Sequence, residues 1–119
     1  MATRNYILLE NVSAESSTDQ FSDKAKAAGY HSVAGGLHTI VFSFDNFQGS
    51  LKMQGTLIDK PSDTDWVDVT FDDGSTVVVD NDSSTQLATV SRNFTGNFVW
   101  IRAKYTLING SITKIQYNF

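Results

Sequence analysis

Asn97-Phe98-Val99-Trp100-Ile101-Arg102-Ala103-Lys104-Tyr105-Thr106-Leu107, led in by Asn93-Phe94-Thr95-Gly96 and followed at Asn109-Gly110 by Ser111 to Phe119, decides the fold class. β-branched and aromatic residues dominate this ribbon, and such side chains suit a pleated, half-buried surface. Turn residues punctuate it and no helical spacing of apolar residues appears. Asn-Gly tolerates the positive φ of a type I′ turn. The stretch is therefore predicted as a hairpin: a strand over Asn97 to Ile108, a turn at Asn109-Gly110, and a closing strand that keeps Phe119 in the sheet.

Alternation splits the long strand into two faces. Val99, Ile101, Ala103, Tyr105 and Leu107 form a core face. Phe98, Trp100, Arg102, Lys104 and Thr106 form the other, which mixes aromatics with cations. Lys and Arg stems can lie along flat aromatic surface while their heads stay wet. Such a face suits a subunit contact, or else a cover supplied by loops or by the strand Asn5 to Val12.

The rest of the chain repeats the strand pattern. Asn5 to Val12 reads as a first strand, Ser13 to Asp23 as a polar loop. Phe21 to Ala28 alone has helical flavour, one short turn at most, and Gly29 ends it. Leu37 to Phe44 alternates, with Ile40, Phe42 and Phe44 on one face. Asp45 to Gly49 reads as a turn. Ser50 to Ile58 alternates again, with Leu51, Met53, Gly55 and Leu57 together. A loop with the only proline, Pro61, leads to a strand over Asp65 to Phe71. Asp72-Asp73-Gly74 is a hairpin turn, Ser75 to Asp80 the returning strand, and Thr85 to Arg92 a further one. Roughly eight strands at a spacing of roughly 8–12 residues predict an all-β chain, an antiparallel β-sandwich or jelly-roll-like fold. A single domain over 1–119 is expected, with a polar, partly flexible segment at 13–36.

Composition narrows the function. The net charge is −4 and no Lys/Arg run occurs, which disfavours nucleic acid and anionic membranes as partners. Cysteine is absent, so disulfides, thiolate metal sites and thiol nucleophiles are excluded. The apolar run Tyr6 to Leu9 is too short for a signal peptide or a membrane span. Triplets resembling glycosylation sequons at Asn11, Asn81, Asn93 and Asn109 read as turn chemistry.

Catalytic constellations are not evident. No metal-ligand or triad spacing in the sequence includes His31 or His38, and both read as partly exposed structural residues. The two glutamates, Glu10 and Glu15, both lie near the start, and most aspartates fall in turns, where they bond locally. An enzyme is not expected, nor is a cofactor. Eight of the thirteen acidic residues lie between Asp59 and Asp82. Such oxygens can hold Ca²⁺, and Asp80-Asn81-Asp82-Ser83 faintly resembles a calcium loop without its Gly and distant Glu; solvated turns explain it equally. Trp66 and Trp100 are candidates for stacking on sugar rings, or for ordinary packing. The binding candidates are thus Trp66, Phe98, Trp100, Arg102 and Lys104, as interface or glycan contacts.

Several segments occur in an order that carries a likeness: Gly49-Ser50-Leu51-Lys52-Met53-Gln54-Gly55-Thr56-Leu57, then Asp63-Thr64-Asp65-Trp66-Val67-Asp68-Val69, then Phe94-Thr95-Gly96-Asn97-Phe98-Val99-Trp100-Ile101-Arg102-Ala103, and Gly110-Ser111-Ile112-Thr113-Lys114-Ile115. From Phe42 onward the chain resembles small virion structural proteins of tailed bacteriophages, cyanophages among them. The resemblance implies a β-sandwich on the virion, as a decoration, fibre or baseplate component. It also implies a homo-oligomer, other capsid or tail subunits as partners, and Asp-Trp and Trp-Ile-Arg-Ala as structural anchors. A capsid decoration or cement role is the preferred expectation, since heptads and fibre repeats are missing. The alternative is a carbohydrate-binding or host-adhesion module of a tail fibre or baseplate.

Overall fold

Two strands far longer than any predicted organise the chain. The computed structural model describes residues 5–31, 35–79 and 89–119. In chain order the strands are β1 (Asn5–Val12), β2 (Ser16–Phe21), β3 (Ala25–Lys26), β4 (Leu37–Thr56), β5 (Val67–Asp68), β6 (Thr89–Thr95) and β7 (Trp100–Asn118). No helix occurs among the described residues, and every pairing between named strands is antiparallel. β4 and β7 lie side by side along their whole length, from Thr39 against Asn118 to Thr56 against Trp100.

Each long strand serves two half-sheets. One half is ordered β1, the second arm of β7, the first arm of β4, then β6. The other places β2 and β3 against the first arm of β7, then the second arm of β4, then β5. The Tyr117 hydroxyl, in the first half, donates to the Lys26 carbonyl in the second at 2.7 Å. Side chains from both halves form one core that includes Phe42, Phe94, Leu51, Met53, Ile101 and Ile115. The result is a sandwich-like all-β fold made from seven strands of one bent sheet.

The bend explains why the expected hairpin is absent. Asn109-Gly110 and Asp45 to Gly49, both predicted as turns, are facing irregularities inside β7 and β4. Asp45 pairs with Ser111, Gln48 with Asn109, and the register slips between them. Asn46 and Gly110 take positive φ, 50° and 73°. A residue with positive φ builds a bulge as readily as a two-residue turn. Here both arms of β7 already have β4 as a partner, so the ribbon bends without folding back on itself. The slip also keeps apolar residues inside. His38, Ile40, Phe42 and Phe44 point inward before it; Phe47, Leu51 and Met53 point inward after it. The parity switches from even to odd where the strand bends.

Other expectations are corrected by where the backbone hydrogen bonds go. The segment around Ala27 is not helical: the Ala27 and Gly29 amides donate to the Val99 and Phe98 carbonyls. Part of the polar segment 13–36 is ordered as β2 and β3, and Ala27 and Ala28 within it are fully buried. Ser-Thr-Asp in β2 is tolerated because its pattern is exposed on both sides. Only Val67 and Asp68 of the strand predicted over Asp65 to Phe71 pair as strand, though the Val69 amide still reaches the Met53 carbonyl. The Asp72-Asp73-Gly74 turn forms, with the Phe71 amide donating to Ser75, and the returning segment contributes one bridge, Val79 to Leu51. Thr85 to Ala88 lie outside the described residues; β6 then runs on through Thr95, past the turn expected at Asn93.

His38, expected to be partly exposed, is fully buried. Its ring stacks on Phe94 at 4.3 Å between centroids, 5° from parallel. The Ala28 amide donates to Nε2 at 3.1 Å, so Nδ1 carries the hydrogen and donates to the Gly36 carbonyl at 2.8 Å. Burial pushes the imidazole pKa down from its usual 6.5; the hydrogen bond to Gly36 opposes that only partly. An unfolded chain therefore takes up this proton before the folded one does. Stability is fully present above about pH 6.5 and falls as acid is added through the interval below it. The urea midpoint is expected to drop between pH 7 and pH 5, and to drop less in a His38→Gln variant. A midpoint flat across this range contradicts a neutral, buried His38.

Candidate docking face

The outer surface of the half-sheet built from β2, β3, the first arm of β7 and β5 carries four of the five candidate binding residues. Alternation along β7 turns Trp100, Arg102 and Lys104 outward while Ile101 and Ala103 are buried. Arg102 is the hub. Its Cζ lies 4.1 Å from the Phe21 ring centroid and 4.3 Å from that of Trp66. Its Nε donates to Gln54 Oε1 at 2.9 Å. Gln54 Nε2 in turn donates to Asp68 Oδ1 at 3.1 Å, and Lys52 reaches Asp68 Oδ2 at 3.3 Å. A guanidinium stays charged at any working pH and stacks well on aromatic faces. Burial acts against ionisation of Asp68, but the hydrogen bonds from Gln54 and Lys52 outweigh it and hold the carboxyl below its usual range.

Trp100 is also occupied. Its indole N–H donates to the Asp59 carbonyl at 2.8 Å. Lys24 sits 4.6 Å from its ring and Tyr30 packs at 5.0 Å. Lys26 in turn lies 4.7 Å from Tyr30. Lys104 pairs with Asp19 at 3.6 Å. The cover over this face is the loop from Leu57 to Trp66, which brings Asp59 and Trp66 across the strands. Gln54 and Thr56, two outward-facing residues of β4, are buried. β1 takes no part. The aromatic and cationic side chains are thus engaged with one another.

Phe98 does not belong to this face. It lies before β7 begins and packs, half-buried, against the core, tilted against Phe94 at 6.1 Å. Gly55 is the floor beneath it: a Cβ there would stand 2.6 Å from the Phe98 ring. The alternation assumed for Phe98 fails because Gly96 to Val99 is not strand.

Beside the covered face lies an apolar hollow of about 320 Å³ lined by Leu57, Ile58, Val67 and Phe98, with Asp65 at its edge. Leu57, Ile58 and Val67 are 69%, 47% and 56% exposed. By alternation Leu57 shares a face with Met53, which is buried in the core. It leaves the core because β4 ends at Thr56, whose hydroxyl accepts the Ile58 amide at 3.1 Å and redirects the chain. Val67 is exposed because β5 is only two residues long and ends the strand order. One signal was present in the sequence: Leu57-Ile58 is an adjacent apolar pair that breaks period two just before Asp59-Lys60-Pro61.

Among the described residues no three acidic or imidazole groups gather to hold a metal ion. The Asp80-Asn81-Asp82-Ser83 loop lies outside the described residues. No protein-family model matches the chain, and neither curated proteins nor solved structures give a match.

Proposed function

We propose that this chain is a non-enzymatic structural protein of a virion, a capsid decoration or cement subunit, that docks on other virion subunits through the hollow at Leu57, Ile58 and Val67. The observation that carries the reading is that these three large apolar side chains stand together in water beside a face whose polar groups are already engaged. Contiguous apolar surface of this kind marks interaction sites. Burying it would supply the hydrophobic centre of an interface, and the Lys52, Asp68 and Lys104 groups would supply a polar rim. The order of segments from Gly49 to Ile115 that resembles tailed-phage structural proteins supports the same assignment.

The test is reconstitution on undecorated phage heads, with tails and baseplates assayed alongside. A Leu57→Asp, Val67→Asp double variant is expected to lose binding. Its urea midpoint should stay near that of the parent, since exposed substitutions usually change stability by about 0.5 kcal/mol or less each. Binding that survives in the folded variant excludes this hollow. A folded protein that attaches to no virion part counts against the role itself. Glycan-array binding lost on Trp66→Ala would move the assignment to the host-adhesion alternative.

A further inference from the structure

The Asn109-Gly110 pair, freed from its expected role as a hairpin turn, is placed for a different chemistry. Asn109 is exposed. Asn109 faces Gln48 and Ser111 faces Asp45, which leaves Gly110 without a Cα partner in β4. Its amide donates to the Asn109 side chain, at 3.0 Å from Oδ1. The nitrogen therefore lies beside the carboxamide carbon of the preceding residue, and Gly110 has no Cβ to obstruct a ring there. The other seven asparagines of the chain are each followed by a residue with a side chain.

We infer that Asn109 is a self-modifying site, which converts to aspartate and isoaspartate without any enzyme. The Gly110 nitrogen, losing its proton to hydroxide, attacks the Asn109 Cγ and forms a new C–N bond. The Cγ–Nδ2 bond breaks and ammonia leaves with a proton from water. The five-membered imide that results is opened by water at either carbonyl. One opening gives aspartate; the other routes the main chain through the side-chain carbon. No oxidant or cofactor enters the balance. Both products add a negative charge near Asp45, on a chain of net charge −4. The isoaspartyl product also lengthens β7 by one backbone atom at its bend.

The experiment holds the folded protein in mildly alkaline buffer at body temperature. Peptide mass spectrometry and labelling by a protein isoaspartyl methyltransferase follow each asparagine. The same incubation is run on the urea-unfolded chain, and on a folded Asn109→Gln variant, whose longer side chain forms the imide far more slowly. Isoaspartate is expected at residue 109 alone, at a folded-state rate no lower than in urea, and absent from the variant. A folded-state rate below that of the unfolded chain overturns the inference, because the bend would then be protecting the pair. So does conversion spread equally over the other asparagines.

Discussion

Phe42→Ala is expected to remove about 3–5 kcal/mol of unfolding free energy, the usual cost of deleting a fully buried phenylalanine ring. Phe42 is 0% exposed. It sits in the first arm of β4, across from Val90 on one side and Ile115 on the other, with Phe44 at 6.4 Å. Like Ile40 two residues before it, it is an inward-facing residue flanked by β6 and by the second arm of β7. A domain of this size is stable by about 5–15 kcal/mol, so the loss leaves little or nothing. The urea midpoint should fall steeply with an unchanged slope, or the variant should be unfolded without denaturant. Phe42→Leu should lose much less. A small shift for alanine would mean that the two half-sheets do not share a core at this point.

Gly110→Ala should be nearly as damaging, for a different reason. A side chain at φ 73° costs about 1–2 kcal/mol. The added methyl would also collide with the Asn46 and Asp45 carbonyls. Those atoms are main chain and cannot rotate away, so forcing them apart costs about 1–3 kcal/mol more. The sum is about 2–5 kcal/mol. Gly74→Ala is the matched comparison: φ is 87° there too, but nothing lies within 4 Å of the new methyl. It should lose only the conformational part, about 1–2 kcal/mol. Equal losses at the two glycines, measured by urea melts, would show that the facing bends of β4 and β7 do not interlock.

Period two made the strands legible, because every inward side chain from His38 to Met53 reports its own environment. It could not show that two predicted strands were one. Asn46, Gly49 and Gly110 announce positive φ equally for a turn and for a bulge, and only the identity of the partner strand decides between them. β2 was missed because a strand wet on both faces carries no apolar alternation. The candidate face was partly legible: Trp100, Arg102 and Lys104 share a side because they share a parity. Phe98 was misplaced because parity holds only within a strand. The covering by Asp59 and Trp66 was invisible, since a loop's path is set by tertiary contacts. The exposure of Leu57 follows from where β4 stops, which a Thr hydroxyl fixes.

The pairing of β1 with the second arm of β7, with Asn5 aligned to Asn118, carries a kinetic implication. During synthesis β1 leaves the ribosome before its partner and then waits, with its hydrogen-bonding edge unmatched, until the second arm of β7 has been translated. Closing a loop of that span precedes any reward from its contacts, which places this topology among the slower folders. Until the second arm of β7 arrives, Tyr6 to Leu9 is a naked adhesive strip on a nascent polypeptide, open to capture by a neighbouring copy or a chaperone.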